Sequence, residues 1–247
     1  MSVTVEAEAA ESARAQMLAL FPEGFEESDR GAALELSAYT DASGEARMRA
    51  VFTTAVATEL SGDWEERWKE FHRPVRAGGL WIVPPWEAET TEGEMITIDP
   101  GRAFGTGAHP TTRLCLELVS ELPPGPLLDV GCGSGVLSIA AAKLGFAPVV
   151  GVDQDSNAIE AAGRNAEANG LELDFRRADA TVDPLPPSDL VIANITEKLV
   201  ALVAPRLECR QLVTSGYFEP HVPHLPGFRR TGRRTLEGWA ADLHVRE

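Results

Sequence analysis

The chain has 247 residues, enough for one large domain or for a catalytic domain with a small companion. Its 22 lysines and arginines against 38 aspartates and glutamates give a net charge of −16, which disfavours free nucleic acid as a partner and favours a cationic one, although excess acid also serves solubility. Because no apolar run approaches the about 20 residues of a membrane span and the N-terminus is acidic, we expect a cytoplasmic protein without a membrane anchor.

The first 60 residues alternate strand-like and helix-like segments. Strands are predicted at 2–5, 33–40 and 54–60, with helices at 6–20 and 44–52 between them. This order predicts a small α+β domain of ferredoxin-like type over residues 1–60. Since the segment carries no catalytic constellation, we expect it to recognise the substrate.

Residues 61–94 hold four of the five tryptophans and are predicted to connect two domains. Trp64, Trp68 and Phe71 share one face of a short predicted helix, and Pro84 and Pro85 end the strand-like run "LWIV".

From residue 95 to residue 247, short apolar strands alternate with amphipathic helices. This pattern predicts an α/β fold with a doubly wound parallel sheet, which binds ligands at the carboxyl ends of its strands. The basic run "RRTGRR" at 229–234 is interpreted as a solvated hairpin, with RNA contact as the alternative. Cys115, Cys132 and Cys209 lack the spacing of a disulfide framework or a zinc site, so no metal is expected.

A glycine-rich stretch, "IDPGRAFGTGAHPTTRLC", occupies residues 98–115. Pro110 followed by Thr111 and Thr112 predicts the start of a helix. The loop before it is either a lid over a ligand or an ordinary surface turn. His109 is interpreted as bracing this loop rather than as a catalytic base, because displacement by a free amine needs no dedicated base.

The run "DVGCGSG" follows the first predicted strand of this domain and places Asp129 before Gly131, Gly133 and Gly135. A dinucleotide fold would require glycine at position 136, where the chain has Val136, so the spacing does not suit a pyrophosphate. Alternating glycines beside a carboxylate suit S-adenosylmethionine, a ligand without phosphate whose amino-acid end can pass close to the backbone while its cationic amine faces the carboxylate.

Acidic residues follow the next two predicted strands. Asp153 stands 22 residues after Gly131, where a carboxylate is expected to hold a ribose diol. Asp155 is expected to cap the following helix. Asp179 is either a contact of the adenine amino group or a simple turn residue.

Asn194 follows the buried run "DLVIA" and is expected to accept a hydrogen bond from a substrate N–H through its side-chain carbonyl. Ile195 and Thr196 stand where enzymes acting on planar amino groups carry Pro-Pro-aromatic. A planar target is therefore not favoured.

In this order, "DPGRAFGTGAHPTT", "DVGCGSGVLSIAAAKLG", "GVDQDSNAIEAAGRNAEANG" and "VIANI" resemble the bacterial ribosomal protein L11 methyltransferases of the PrmA type. The resemblance implies a Rossmann-like class I methyltransferase domain, an N-terminal ferredoxin-like domain and a loop that closes over S-adenosylmethionine. It places Asn194 and Thr106 in the catalytic site. It also assigns cofactor contacts to Phe104, Gly105, Thr106, Gly107, Thr112, Gly131, Asp153 and Asn194.

The function implied by this resemblance is methylation of lysine side-chain and N-terminal amines of a large-subunit ribosomal protein, L11, with no direct nucleic-acid contact required. Two alternatives stay open at this point. One is a methyltransferase for another protein or a small molecule on the same core, and the other is a ribosome-associated protein that binds the cofactor without turnover.

Overall fold

The computed structural model describes residues 1–6, 9–21, 25–29, 31, 33–38, 40, 42–57, 73–88, 91–99 and 107–247. The chain divides into two compact units, Met1–Trp68 and Lys69–Glu247.

The first unit is a small α+β module. Its described elements are strand β1 (Ser2–Glu6), helix α1 (Ala10–Leu20), strands β2 (Glu26–Asp29) and β3 (Ala33–Ser37), and helix α2 (Ala42–Val51). The antiparallel strands have the order β1-β3-β2, and Val56 bridges Ser2 at the free edge of β1. Met17, Leu36 and Met48 are fully buried in the core of this unit.

The order of these elements matches the predicted ferredoxin-like module, with two differences. β2 was not predicted, because its sequence "EESD" is polar throughout and has no alternating pattern. Within the described residues, the predicted strand at 54–60 consists only of the bridge at Val56.

Part of the predicted connector belongs to the second unit. Strands β4 (Val75–Ala77), β5 (Leu80–Val83) and β6 (Met95–Thr97) form a small sheet, with β5 and β6 parallel. Ile82 and Ile96 pack in the same core as Leu114. The predicted helix carrying Trp64, Trp68 and Phe71 lies outside the described residues.

The second unit is built on a large sheet with the strand order β12-β13-β11-β10-β7-β8-β9 in the described residues. Its strands are β7 (Leu127–Val130), β8 (Val149–Asp153), β9 (Asp174–Arg177), β10 (Leu190–Asn194), β11 (Gln211–Phe218), β12 (Phe228–Leu236) and β13 (Trp239–Arg246). β13 runs antiparallel to its neighbours β11 and β12, and the other pairs are parallel. The predicted doubly wound α/β fold is therefore confirmed.

Helices α3 (Pro110–Ser120), α4 (Val136–Lys143), α5 (Ser156–Ala168) and α6 (Glu197–Val203) connect the strands. Strand β7 is buried along its whole length, and residues on its two faces belong to separate cores, Leu127 to one and Leu128 to the other. Such burial on both faces is typical of a parallel sheet covered by helices. No helix in the described ranges is long and apolar enough to cross a bilayer.

Residues 229–234 belong to a hairpin, as interpreted from the sequence, but they form one of its strands and not its turn. They lie within the edge strand β12, and the hairpin turn is Glu237-Gly238. A strand tolerates these charges because Arg230 and Arg233 approach the buried carboxylate of Asp242, while Arg234 pairs with Glu121.

Candidate active site

Three polar side chains that the sequence singled out lie near the carboxyl edge of the large sheet. Asp129 is the third residue of β7, Asp153 ends β8 and Asn194 ends β10. β7 pairs in parallel with both β8 and β10, so these strand ends meet at one edge. The fold therefore brings together residues that are up to 65 positions apart in the sequence.

Asp129 is buried, with 1% of its surface exposed. One carboxylate oxygen, Oδ2, accepts a 2.6 Å hydrogen bond from the Ser138 hydroxyl, whereas Oδ1 has no hydrogen-bond partner among the described residues. Burial raises the pKa of this carboxyl to about 6, and the Ser138 hydrogen bond offsets only part of that effect. A buried acceptor without a partner is costly, which marks Asp129 as a candidate binding group.

Asp153 holds the glycine-rich turn in place. Its Oδ2 accepts from the Gly133 N–H and its Oδ1 from the Asp155 N–H, both at 3.0 Å. The Gly131 and Cys132 N–H groups donate to the Val152 carbonyl at the end of the neighbouring strand. A carboxylate offers about four acceptor positions, so the half-buried Asp153 retains capacity for a ligand's hydroxyl groups.

Asp155 caps α5, as predicted, by accepting from the Asn157 N–H at 2.9 Å. Asp179 closes a turn, since its Oδ1 accepts from both the backbone N–H and the hydroxyl of Thr181. These hydrogen bonds lower the pKa of Asp179. A cavity of about 600 Å³ opens beside these residues at the ends of β8 and β9, lined by Gln154, Asp155, Arg177, Ala178, Asp179 and Asp183.

Two of the predicted cofactor glycines have a packing role. A Cβ atom on Gly135 would lie 2.9 Å from the Ala162 Cβ, so glycine lets α4 approach α5. A Cβ on Gly107 would lie 2.5 Å from the Ile82 Cγ2, in the small sheet. Both glycines also have positive φ. Packing therefore accounts for glycine at these two positions, and their contact with a cofactor stays a prediction.

The first turn of α3 joins the loop to Asn194. The Asn194 side-chain amide donates a long hydrogen bond, 3.4 Å, to the hydroxyl of the buried Thr112. His109 caps the helix through its Nδ1, which accepts from the Thr111 N–H, and its ring packs edge-on against Trp239. Burial lowers the pKa of His109, and the nearby Glu237 opposes this only in part. A neutral imidazole suits the capping role, in line with a bracing function.

Phe104, Gly105 and Thr106 lie outside the described residues, so the structure does not place these three predicted contacts. Within the described part of the chain, no cluster of three or more His, Cys, Asp or Glu side chains could hold a metal ion.

Asn165 and Asn169, which the sequence did not single out, make hydrogen bonds beside the candidate site. Asn165 is 4% exposed; its amide donates to the Ser134 carbonyl in the glycine-rich turn at 2.9 Å, and its oxygen accepts from the Asp99 N–H at 3.0 Å. Asn169 makes two hydrogen bonds with the backbone of Thr97. The residues just before the loop are thereby tied to the turn. An asparagine on the alanine-rich face of a helix was the available signal.

A larger cavity, about 730 Å³, opens at the opposite, amino edge of the sheet. Two of its three arginines, Arg206 and Arg246, donate hydrogen bonds to backbone carbonyls and so hold the fold together. Because parallel sheets of this class bind ligands at the carboxyl edge, we assign the site to that edge.

The strand order, the glycine-rich turn after β7 and the acid ending β8 define a Rossmann-like class I methyltransferase fold. The family model described as Ribosomal protein L11 methyltransferase (PrmA) matches residues 2–219. The chain belongs to this family, in agreement with the resemblance found in its sequence motifs.

Relatives in this family have similar sequences but are longer. The chain is 41% identical over 196 residues to a ribosomal protein L11 methyltransferase of Cupriavidus taiwanensis, covering 74% of this chain and 65% of the relative. It is 44% identical over 142 residues to one of Dictyoglomus thermophilum, covering 56% of this chain and 47% of the relative. The chain thus spans less than two thirds of the length of these relatives.

A solved structure shows the same fold. The crystal structure of ribosomal protein L11 methylase from Lactobacillus delbrueckii subsp. bulgaricus matches with a TM-score of 0.64 and 28% identity, covering 71% of this chain and 99% of that chain.

Proposed function

We propose that the protein transfers methyl groups from S-adenosylmethionine to amino groups of ribosomal protein L11. The observation that carries this proposal is the buried, half-satisfied carboxylate of Asp129 beneath the glycine-rich turn. Family membership and the names of the relatives support the reaction and its substrate.

The residues at the carboxyl edge fit the proposed cofactor. Asp129 Oδ1 is an acceptor for the cationic amine of the amino-acid end, which would provide the partner that this oxygen lacks among the described residues. Asp153 would hold the ribose hydroxyls. The cavity beside Asp179 has room for the adenine base. The cofactor, when bound, supplies a methyl group activated by a sulfonium.

The protein's own residues would position the attacking amine. Deprotonating a lysine with pKa near 10.4 costs about 4.6 kcal/mol at pH 7. The proton is released to solvent before the amine attacks. Thr112 holds the Asn194 amide nitrogen, so the Asn194 carbonyl oxygen can accept an N–H of the substrate and aim the nitrogen lone pair. The methyl group then joins the nitrogen as its bond to sulfur breaks.

The assignment of L11 as the substrate draws on the family and on charge. A net charge of −16 favours a cationic protein partner. In the basic strand β12, Arg230, Arg233 and Arg234 pair with carboxylates. We therefore propose no contact between this strand and nucleic acid. A ribosomal protein is met in the cytoplasm, where we propose that the enzyme acts.

Methylation of purified L11 tests this proposal. We expect L11 incubated with the protein and S-adenosylmethionine to gain mass in steps of about 14 Da on lysine or N-terminal amines, as mapped by peptide mass spectrometry. The Asp153→Ala variant should give a much slower gain, which excludes a contaminating enzyme. Unmodified L11 in the presence of bound cofactor would refute the assignment of substrate, and absence of cofactor binding would refute the reaction.

We further propose that the first unit selects the protein substrate, while the second unit does the chemistry. Each unit has its own hydrophobic core, which supports separate folding. A protein lacking residues 1–68 should keep its cofactor affinity within about tenfold, or 1.4 kcal/mol. It should lose methylation of L11. Full-rate methylation of L11 by the folded truncated protein would contradict this division.

A further inference from the structure

The hairpin turn between β12 and β13 lies at the same edge of the sheet as Asn194. Asn194 is aligned with Ser215 in the parallel pair β10–β11, and β11 continues three residues further to Phe218. Phe218 is aligned with Trp239 at the start of β13. The register therefore places an aromatic pair beyond the strand end that carries the proposed amine acceptor.

These two aromatic residues form an open stack. Their ring centroids are 4.3 Å apart with an interplanar angle of 30°, and Phe218 is 46% exposed. Trp239 is half-buried and contacts the His109 ring at 4.8 Å. His109 caps α3, and Thr112 in the first turn of α3 is the residue that contacts Asn194. The stack and the proposed acceptor are thus attached to the same helical turn.

A strained glutamate lies next to this stack. Glu237 and Gly238 both have positive φ, at 52° and 80°, which is the type I′ hairpin geometry favoured by Asn-Gly or Asp-Gly. Glu237 is the one non-glycine residue with positive φ in the described part of the chain. Its carboxylate is 3.5 Å from the Arg113 guanidinium, while 63% of the side chain stays exposed. Strained residues of this kind cluster at functional sites.

We propose that Phe218, Trp239 and Glu237 form a docking surface on the catalytic unit for the lysine-bearing segment of the substrate protein. This inference rests on the proposed function and adds the residues that contact the polypeptide near the target amine. The exposed ring of Phe218 would pack against the aliphatic part of lysine side chains. The exposed carboxylate of Glu219, whose backbone N–H donates to the Gly238 carbonyl, gives the surface negative charge that attracts such a segment. The 63% exposed carboxylate of Glu237 adds to this charge, reduced by Arg113 at 3.5 Å.

Equilibrium binding of purified L11 to the full chain saturated with S-adenosylhomocysteine tests this surface without turnover. We expect Phe218→Ala to raise the dissociation constant for L11 about tenfold. Glu237→Gln should raise it about threefold at low salt, and the difference should shrink at high salt. Both variants should bind S-adenosylhomocysteine as the wild type does. Leu202→Ala, which truncates an equally exposed apolar side chain on α6, is the matched control and should leave L11 binding unchanged.

Thermal unfolding separates docking from a role in folding, because a cross-strand stack also stabilises a hairpin. If Phe218→Ala lowers only the unfolding temperature and leaves the dissociation constant for L11 unchanged, the docking surface is refuted while the proposed function stands. If the wild type itself does not bind L11, both the docking surface and the proposed function are refuted. A restored affinity in Phe218→Tyr would show that the exposed ring is what the substrate contacts.

Discussion

Asp129 and Asp242 are both buried carboxylates of the large sheet, at 1% and 0% exposure, yet their surroundings differ. Asp242 accepts from the Tyr217 hydroxyl at 3.0 Å and has Arg230 and Arg233 at 3.5 and 3.6 Å. Asp129 has one described hydrogen-bond donor, Ser138, and one oxygen left over. The two residues are equally buried but unequally satisfied.

We interpret this difference as one between a carboxylate that stabilises the fold and one that we propose to bind a ligand. The network around Asp242 ties β11, β12 and β13 together across the antiparallel part of the sheet. Asp129 lies in strand β7, in the parallel part of the sheet, where a buried carboxylate with one unpartnered oxygen lowers the stability of the fold once it is charged. Such a cost is expected where a cationic ligand completes the site.

Removal of the Asp242 carboxylate should change the free energy of unfolding more than any other substitution considered. Asp242→Ala would leave the guanidinium groups of Arg230 and Arg233 without their buried partner, which should cost about 3–5 kcal/mol of unfolding free energy. Urea denaturation measures this loss. The matched control is Glu121→Ala, which breaks an exposed pair with Arg234 and should cost less than about 1 kcal/mol. If both variants lose the same unfolding free energy, the buried Asp242 network stabilises the fold no more than an exposed ion pair does.

Removing the charge of Asp129, the carboxylate with an unpartnered oxygen, should raise the free energy of unfolding instead of lowering it. The folded-state pKa of Asp129 is raised from 3.8 to about 6, so wild-type stability should fall as pH rises through this window. Above pH 6, ionised Asp129 lowers the free energy of unfolding by the full amount, about 3 kcal/mol at 1.36 kcal/mol per pKa unit. We therefore expect Asp129→Asn to stabilise the cofactor-free protein at pH 7 by up to this amount and to flatten the fall. If the variant is less stable than the wild type at pH 7, the charged Asp129 carboxylate does not destabilise the fold.

Asp153→Ala should weaken cofactor binding by about 1–3 kcal/mol, because two ribose hydroxyls would lose a charged acceptor. Isothermal titration calorimetry measures it. Asp155→Ala is the control, since that carboxylate caps α5, and it should lower stability more than cofactor affinity. An unchanged dissociation constant in Asp153→Ala would remove this residue from the site.

The smallest expected effect concerns Asn165, which links the glycine-rich turn to Asp99. Asn165→Ala should weaken cofactor binding by about 1 kcal/mol through misplacement of the turn, since each lost hydrogen bond is worth about that much. Hydrogen exchange should show faster exchange of the Asp99 amide. If the amide stays protected and the affinity is unchanged, the link has no role in the site.

Local patterns were enough to predict much of the second unit. Pro110 gave the start of α3, and the alternation of apolar strands and amphipathic helices gave the parallel sheet. The spacing of Asp153 to Gly131 predicted an acidic residue at the end of the next strand, and the structure has Asp153 there, but its hydrogen bond to the Gly133 N–H was not predicted. These features depend on residues close in sequence or on strand ends that the fold class brings together.

Contacts between distant segments could not be predicted in the same way. The Asn165 and Asn169 bonds to residues 97–99 span 66 and 72 positions, and nothing in the local pattern of α5 identifies their partners. Likewise, the arginines of β12 were interpreted as part of a solvated hairpin, because the local sequence does not show that Asp242 of β13 approaches them. Buried polar pairs of this kind depend on the tertiary register of the sheet.

We propose that Asp129 holds the cationic amine of S-adenosylmethionine, and calorimetric titration of the cofactor at several pH values can measure the contribution of this carboxylate. For the wild type we expect the dissociation constant to be steady above pH 7 and to rise about tenfold by pH 5 as the carboxyl becomes neutral, with the break near pH 6. Asp129→Asn should bind weakly at every pH with no break near pH 6. Identical pH profiles and affinities for the two proteins would contradict the claim.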